Sequence, residues 1–222
     1  MTHHMRALGA MATSRNHALP GVTRVHKPVA RLFKAGQPLF YQGDDAQFIL
    51  EVQSGVLRQT RSLENGERQV LAFHFPGDFV GFSEDGLHHA GCTAITGGRA
   101  LIHRAEVLDR PHLDPDLHDR LLGAALQEIG LMRDHFVMLG RKTACAKVEA
   151  FLGYMIERVG VLQNGQQTVD IPMSRYDIAD FLGIAVETVS RSFTQLRDAG
   201  IIAMDDAHRL TVLCPAAFAT TH

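Results

Sequence analysis

The stretch MSRYDIADFLGIAVETVSRSFTQL, residues 173–196, contains two short helical patterns that are separated by a single glycine. Ser174 and Asp177 have the spacing of a capping box, which predicts a helix from Arg175 to Leu182. Gly183 follows at once, and glycine readily adopts the left-handed conformation that ends many helices. The sequence therefore predicts a first helix that ends abruptly and a second helix that leaves in a new direction.

The second helix is predicted from Val186 to about Asp198, with an apolar face formed by Val189, Phe193 and Leu196. Two helices joined by a turn of about three residues that contains glycine are typical of a helix-turn-helix. The outer face then carries Glu187, Ser190 and Arg191. An arginine can donate two hydrogen bonds to guanine, a glutamate can accept one from cytosine, and a serine can reach a thymine or a phosphate. This face favours direct readout of DNA bases.

The segment that follows strengthens this interpretation. Residues 199–213 read as a strand, a tight turn at Asp205-Asp206-Ala207 and a second strand, which is the pattern of a wing. We therefore interpret residues 141–222 as a winged helix-turn-helix domain in which Arg175 contacts a DNA phosphate. Spacing alone leaves one alternative, a helical hairpin with a solvated charged face. Because residues 141–222 carry eight basic and nine acidic side chains, we expect one such domain to bind DNA weakly unless it is paired.

The first half of the chain has a different pattern. From Val22 to about Arg104, short apolar runs alternate with glycines, as in an all-β sandwich or barrel. Within it, ENGERQ at residues 64–69 places Asn-Gly between two strand-like runs, which predicts a hairpin with a type I′ turn. We assign residues 21–116 to a β-roll domain of the jelly-roll type and residues 1–20 to a flexible tail.

Between the two halves, residues 117–140 show a heptad pattern. Apolar residues recur at alternating spacings of three and four, as in a coiled coil, at Leu122, Ala125, Ile129, Met132, Phe136 and Leu139. A helix that packs only on the core of its own domain would also give an apolar stripe. Three clean heptads between two unlike halves favour a dimerisation helix, so we expect a homodimer. Because the first half is rich in strands and the rest is mainly helical, we expect an α+β fold overall.

Composition excludes several other classes. The 222 residues carry a formal charge of −2, which favours no strongly charged partner. Cys92, Cys145 and Cys214 are scattered and form neither a disulfide framework nor a zinc motif, as is usual in a reducing compartment. No apolar run is long enough to span a bilayer, and the N-terminus lacks a secretory apolar region. We expect a cytoplasmic protein with no membrane partner.

The β-rich half, the heptad helix and the string SRYDIADFLGIAVETVSRSFTQLRDAGII together resemble the Crp/Fnr superfamily of bacterial transcription regulators. The resemblance covers roughly residues 22–214 and is most specific in DIADFLG and ETVSR. Within the superfamily it is greatest to the FixK-type branch. It implies a β-roll like that of cyclic-nucleotide-binding domains, and it implies that Glu187, Ser190 and Arg191 read TTGAT-like half-sites in an inverted repeat. An activator of this type would also contact RNA polymerase.

Departures from the family pattern bear on cofactors. Phe82 stands where the cyclic-AMP-binding branch has a ribose-binding glutamate, and Gly91-Cys92-Thr93-Ala94 replaces the segment that carries its phosphate-binding arginine. The cysteine cluster that holds an iron–sulfur centre in Fnr is missing, because residues 1–91 contain no cysteine. We therefore expect no cofactor. Ala185 also replaces the serine or threonine that usually caps the recognition helix, at a cost of about 1 kcal/mol.

The histidines of the β-rich half leave two further hypotheses. His74, His88, His89 and His103 could belong to a cupin-like metalloenzyme, but the chain contains no His-x-His motif. One of them could be the axial ligand of a haem-sensing regulator, although a single histidine is a weak signal. We interpret all four as polar surface or loop residues, and the protein as a regulator that is not an enzyme.

Overall fold

The structure is a computed structural model that describes residues 28–204, 206 and 208–218. The predicted tail, residues 1–20, lies outside the described residues. The N-terminal half is a β-sandwich, which confirms the predicted fold class. Its strands are β1 (Val29–Phe33), β2 (Pro38–Phe40), β3 (Phe48–Ser54), β4 (Leu57–Ser62), β5 (Arg68–His74), β6 (Phe79–Val80), β7 (Gly91–Ala94) and β8 (Gly98–Arg104).

The strands form two four-stranded antiparallel sheets, in the orders β1-β8-β3-β6 and β2-β7-β4-β5. Strands adjacent in a sheet are often distant in sequence, as in the pairing of β1 with β8. Side chains such as Leu50, Val52, Leu57 and Cys92 alternate inward and fill the space between the sheets.

The β4–β5 hairpin is present, but its turn differs from the prediction. A type I′ turn requires positive φ at both central residues. Gly66 has φ +83°, whereas Asn65 does not have positive φ. The backbone N–H of Gly66 donates to the carbonyl of Leu63 at 2.9 Å, and that of Leu63 donates to the carbonyl of Glu67 at 2.8 Å. The hairpin loop therefore places only its glycine in the left-handed region, and the predicted type I′ turn is wrong.

A long helix, α1 (Pro115–Leu139), connects the two halves. It begins two residues before the predicted position, because Asp114 caps it and Pro115 occupies the first turn, where a proline costs no hydrogen bond. The Asp114 carboxylate accepts from the backbone N–H of Leu117 at 3.0 Å. Leu121 and Met138 are buried against the rest of the chain.

The C-terminal half contains α2 (Ala144–Val159), β9 (Val161–Gln163), β10 (Gln166–Asp170), α3 (Arg175–Leu182), α4 (Val186–Asp198), β11 (Ile202–Met204) and β12 (Arg209–Val212). Its sheet has the order β11-β12-β10-β9. Asn164 and Gly165 join β9 to β10 with φ values of +50° and +80°, so the second Asn-Gly of the chain forms the turn with positive φ at both residues.

The two halves share one hydrophobic core. Val70, Phe73 and Phe75 from β5 lie in the same buried cluster as Phe151 of α2 and Phe181 of α3. The Phe73 and Phe181 rings lie 5.1 Å apart between centroids. The C-terminal half therefore packs directly on the sandwich. None of the described helices is long and apolar enough to cross a membrane.

Candidate nucleic-acid interface

The start of α3 is the predicted capping box. The Ser174 hydroxyl accepts from the backbone N–H of Asp177 at 3.1 Å. The Asp177 carboxylate accepts in return from the backbone N–H of Ser174 at 3.3 Å. Two N–H groups that the helix leaves unpaired are thereby satisfied. This confirms the first element of the predicted helix-turn-helix.

The break between the helices also agrees with the prediction. Gly183 ends α3 in the left-handed region with φ +61° and ψ +44°. The backbone N–H of Ile184 then donates to the carbonyl of Ala179 at 3.2 Å, which tightens the turn. Ala185 precedes α4 and makes no side-chain cap, as its methyl group dictates. Because the chain reverses within three residues, α4 can project from the domain surface.

The two faces of α4 are sharply divided. Val189, Phe193 and Leu196 are buried, as predicted, and Ser192 joins them by donating to the carbonyl of Thr188 at 2.9 Å. The opposite face is exposed and carries the three predicted base-contacting residues, Glu187, Ser190 and Arg191. They lie within two turns of one helix, so a single groove could admit all three.

Local hydrogen bonds orient this exposed row. The Ser190 hydroxyl donates to the carbonyl of Val186 at 3.1 Å. The Arg191 guanidinium approaches the carbonyl of Glu187 and the Thr188 hydroxyl, both at 3.4 Å. Sequence reasoning did not include Thr188, although its position three residues before an arginine on the same face was a usable signal. Both Arg191 contacts are long, so the guanidinium can exchange them for other acceptors.

Arg175 occupies a different environment from the one expected of a residue free to contact phosphate. Its guanidinium carbon lies 3.6 Å from the centroid of the Phe193 ring. One guanidinium nitrogen lies 3.7 Å from the sulfur of Met204. Burial lowers the pKa of this guanidinium. Arg175 therefore packs between α3, α4 and the wing, and its charged group is partly withdrawn from water.

The wing is present. β11 and β12 form the predicted pair of strands, and they are antiparallel with Ile202 opposite Val212. Of the predicted turn residues, Asp205 and Ala207 lie outside the described residues. The Asp206 carboxylate accepts from the backbone N–H groups of His208 at 2.6 Å and Arg209 at 2.8 Å, which lowers the pKa of that carboxyl.

The histidines require a correction. His74 and His103 are buried within strands, so interpreting them as surface or loop residues was wrong for these two, whereas His88 is a buried loop residue and His89 is exposed. Strand pairing that no local pattern reveals carries His74 and His103 inside. Their contacts are Gln59 at 3.3 Å for His74, the Phe40 ring at 3.8 Å for His88, and the Glu51 carboxylate at 2.8 Å for His103. No group of three or more candidate metal ligands occurs among the described residues.

The segments that would hold a cyclic nucleotide are apolar here. Phe82 is partly buried against the hydrophobic cluster that contains Ile49 and Phe79, and Cys92 is completely buried between the sheets. Burial, offset in part by the charge of Arg58, raises the pKa of the Cys92 thiol to about 12. The other two cysteines are free as well, with Cys145 half-buried and Cys214 exposed.

A cavity of about 450 Å³ lies between β5, α1 and the C-terminal helices. Glu128, Asp134 and His135 contribute to its lining, and none of its lining residues in the described part of the chain is a lysine or arginine. Burial, with a further contribution from the charge of Asp78, raises the pKa of Glu128. The cavity therefore offers no cation to an anionic ligand.

Comparison with known proteins identifies the family to which each domain is similar. A profile for the cyclic nucleotide-binding domain matches residues 30–110, and a profile for the Crp-like helix-turn-helix domain matches residues 146–220. The nitrogen fixation regulation protein FixK of Bradyrhizobium diazoefficiens is 39% identical over 174 residues, which cover 78% of this chain and 73% of the relative. The transcriptional activator protein FnrL of Cereibacter sphaeroides is 32% identical over 187 residues, which cover 82% and 75%.

The tertiary structure gives the same result. The structure of FixK2 from Bradyrhizobium japonicum matches with a TM-score of 0.78 at 28% identity, over 86% of this chain and 96% of that one. Both domains and the order in which they occur agree with this likeness. The chain belongs to the Crp/Fnr family of DNA-binding transcription regulators, not to a family of enzymes.

Proposed function

We propose that this protein is a homodimeric, cytoplasmic transcription activator that binds an inverted repeat of TTGAT-like half-sites without cyclic AMP or an iron–sulfur cluster. The observation that carries the proposal is the exposed row Glu187, Ser190 and Arg191 on α4. In this assignment Arg191 donates to a guanine, Glu187 accepts from a cytosine, and Ser190 reaches a thymine or a phosphate. As an activator it would also contact RNA polymerase. The names of the FixK and FnrL relatives support the regulatory role.

Dimerisation is supported by the surface of α1. Several seam residues are exposed in the single chain although they are large and apolar, namely Leu122, Ile129, Met132 and Phe136, the last with 71% of its surface accessible. Ala125 and Leu139 complete the seam and are half-buried. An apolar stripe of this length on a soluble protein marks an interaction surface. A second copy of α1 carries the matching heptads and would cover it.

A two-fold dimer would hold two recognition helices about one helical turn of DNA apart. The operator should therefore have half-sites about 10 bp apart between centres. Two copies would also compensate for the near-neutral charge of one DNA-binding domain, because each half-site adds its own phosphate contacts.

Titrations of fluorescent operators test the readout. Arg191→Ala removes a two-bond donor and should cost roughly 1–3 kcal/mol of binding free energy, chiefly on the preferred sequence. Glu187→Ala removes a carboxylate that repels phosphates, so discrimination at the G·C pair should fall while non-specific binding stays level or rises. If Glu187→Ala weakened binding to every sequence equally, the assignment of Glu187 to base readout would be wrong.

Arg175 provides the contrasting arm of the same titrations. As a phosphate contact it should affect all sequences about equally and lower the slope of log affinity against log salt by about one per subunit. Because the side chain packs on Phe193, Arg175→Met is the better variant, since it keeps an apolar stem there. An unchanged salt slope would restrict Arg175 to the packing role.

A further inference from the structure

Four charged residues link the β-sandwich to the helix-turn-helix. Arg58 of β4 pairs with Asp177 of α3. Arg68, at the start of β5, lies 3.1 Å from the same carboxylate and 2.5 Å from that of Asp180. We call these residues, Arg58, Arg68, Asp177 and Asp180, the interdomain ion-pair cluster. All three pairs join residues more than a hundred positions apart, so they depend entirely on how the two halves are docked.

Asp177 is the centre of this cluster. Its side chain is only 6% exposed. One carboxylate oxygen faces both arginines, and the other accepts from the Ser174 hydroxyl at 2.9 Å within the capping box. A buried carboxylate is costly unless charged partners replace water. The two guanidinium groups come from the sandwich. If α3 moved away from β4 and β5, the Asp177 carboxylate would lose both of its charged partners.

A second contact holds α3 from the side of α1. The His135 ring stacks on Phe181 with centroids 3.8 Å apart and planes inclined by only 3°. His135 Nε2 lies 2.7 Å from the Phe181 carbonyl, to which it donates. The first helix of the DNA-binding motif is therefore fixed both to the sandwich and to the helix that carries the heptad seam. Since α3 packs on α4, these contacts also set the direction of α4 relative to α1.

We propose that the interdomain ion-pair cluster positions the recognition helix, and thereby sets the half-site spacing that a dimer accepts. The inference rests on the proposed function, because spacing has meaning only for a dimer on an inverted repeat. Arg58 and Arg68 act through α3 and need not contact DNA. They are positioning residues, distinct from the base-contacting row on α4.

Arg68→Glu tests this role, because it reverses the charge that faces both Asp180 and Asp177 while keeping both residues of the capping box, Ser174 and Asp177. We expect affinity for a probe with one half-site to stay within about twofold, since the binding face of α4 is unchanged. Affinity for the full inverted repeat should fall roughly tenfold, because a loosely held second domain has a lower effective concentration at its half-site. The wild type should prefer one spacer length over spacers one base pair longer or shorter, and in Arg68→Glu this preference should largely disappear.

Two further variants make the result specific. Arg68→Glu combined with Asp180→Arg restores an opposite-charge pair and should recover both the affinity and the spacer preference. Arg61→Glu makes the same charge change at an exposed position of β4 and should leave the spacer preference as it is. Thermal unfolding of each variant establishes that it is folded.

The outcomes separate the inference from the proposed function. If Arg68→Glu lost affinity equally for the one-half-site and full probes, the positioning role would be overturned. An unchanged spacer preference in Arg68→Glu would overturn it as well. Neither result would contradict operator binding by the wild type. A wild-type protein that bound no inverted repeat at all would refute the proposed function, and the positioning role with it.

Discussion

At the residue scale, His74 makes stability depend on pH. It lies inside the sandwich with 5% of its surface exposed and contacts Gln59. Burial is the main reason that its pKa falls from 6.5 to about 4, while Asp78 raises it and Arg158 lowers it further. The histidine is therefore neutral in the folded protein at pH values where the unfolded chain already binds a proton.

We expect His74→Gln to flatten the pH dependence of stability. Above pH 6.5 both states are neutral at His74, so this residue contributes nothing to the slope. Between pH 6.5 and about 4 the unfolded chain takes up a proton that the native state refuses, which lowers the unfolding free energy by up to about 3 kcal/mol in total. Denaturant titrations at one protein concentration should show this loss in the wild type and much less of it in His74→Gln.

His89→Gln is the matched control, because His89 is exposed and pairs only with Asp85 at 3.1 Å. It should leave the slope as it is in the wild type. An equally steep loss of stability on acidification in His74→Gln would assign the pH dependence to other groups, among them His88 and His135, whose pKa values burial also lowers.

At the element scale, α1 has two apolar faces. One face carries Leu121 and Met138, which are buried within the single chain. The heptad face points elsewhere and presents Ile129 and Phe136 to solvent. An amphipathic helix that only covered its own domain would have one apolar face. The second apolar face is the feature of α1 that a dimer would use.

Ile129→Lys should weaken or abolish the dimer. The substitution places two like charges in the centre of the seam, where they would lie close together across the two-fold axis. Sedimentation velocity should then show a monomer, or a much weaker self-association than in the wild type. Gln127→Lys adds the same charge at an exposed position off the seam and should remain dimeric. A fully dimeric Ile129→Lys would rule out the heptad face as the interface.

At the scale of the whole molecule, a cavity lies beside α1 where the two halves of the chain meet. The cavity beside α1 is lined by Tyr154 and Phe181 of the C-terminal half as well as by β5. Its acidic residues argue against an anionic ligand in this cavity, and the segments at Phe82 and Gly91-Cys92-Thr93-Ala94, which lie outside its lining, contain no basic residue. The lack of basic residues in these segments supports the proposed activity without cyclic AMP.

Calorimetric titration with cyclic AMP should therefore give no binding at micromolar nucleotide, because Phe82 and Gly91-Cys92-Thr93-Ala94 supply neither the carboxylate for the ribose nor the cation that would replace the hydration of the phosphate. The purified protein should also be colourless and bind its operator in air. Saturable micromolar binding would contradict the nucleotide-free proposal. A visible absorption band would instead indicate haem or an iron–sulfur cluster and favour a ligand-sensing regulator.

The sequence by itself determined the elements whose causes are local. The capping box at Ser174, the left-handed Gly183 and the periodicity of α4 act within a few residues, so α3 and α4 were predicted with the bounds that the structure has. The wing and the heptads of α1 are equally local patterns. The type I′ turn predicted at Asn65-Gly66 was wrong, because the dipeptide Asn-Gly occurs in more than one type of turn.

Only the tertiary structure decided which distant residues meet. His103 reaches Glu51 through strand order, Arg175 stacks on Phe193 through the packing of α3 on α4, and Arg58 pairs with Asp177 through domain docking. A charged or titratable side chain satisfies its electrostatic needs with whatever partner lies nearby in space, and sequence separation carries no information on that distance. The burial of the histidines and the interdomain ion-pair cluster could therefore be found only once the chain was folded.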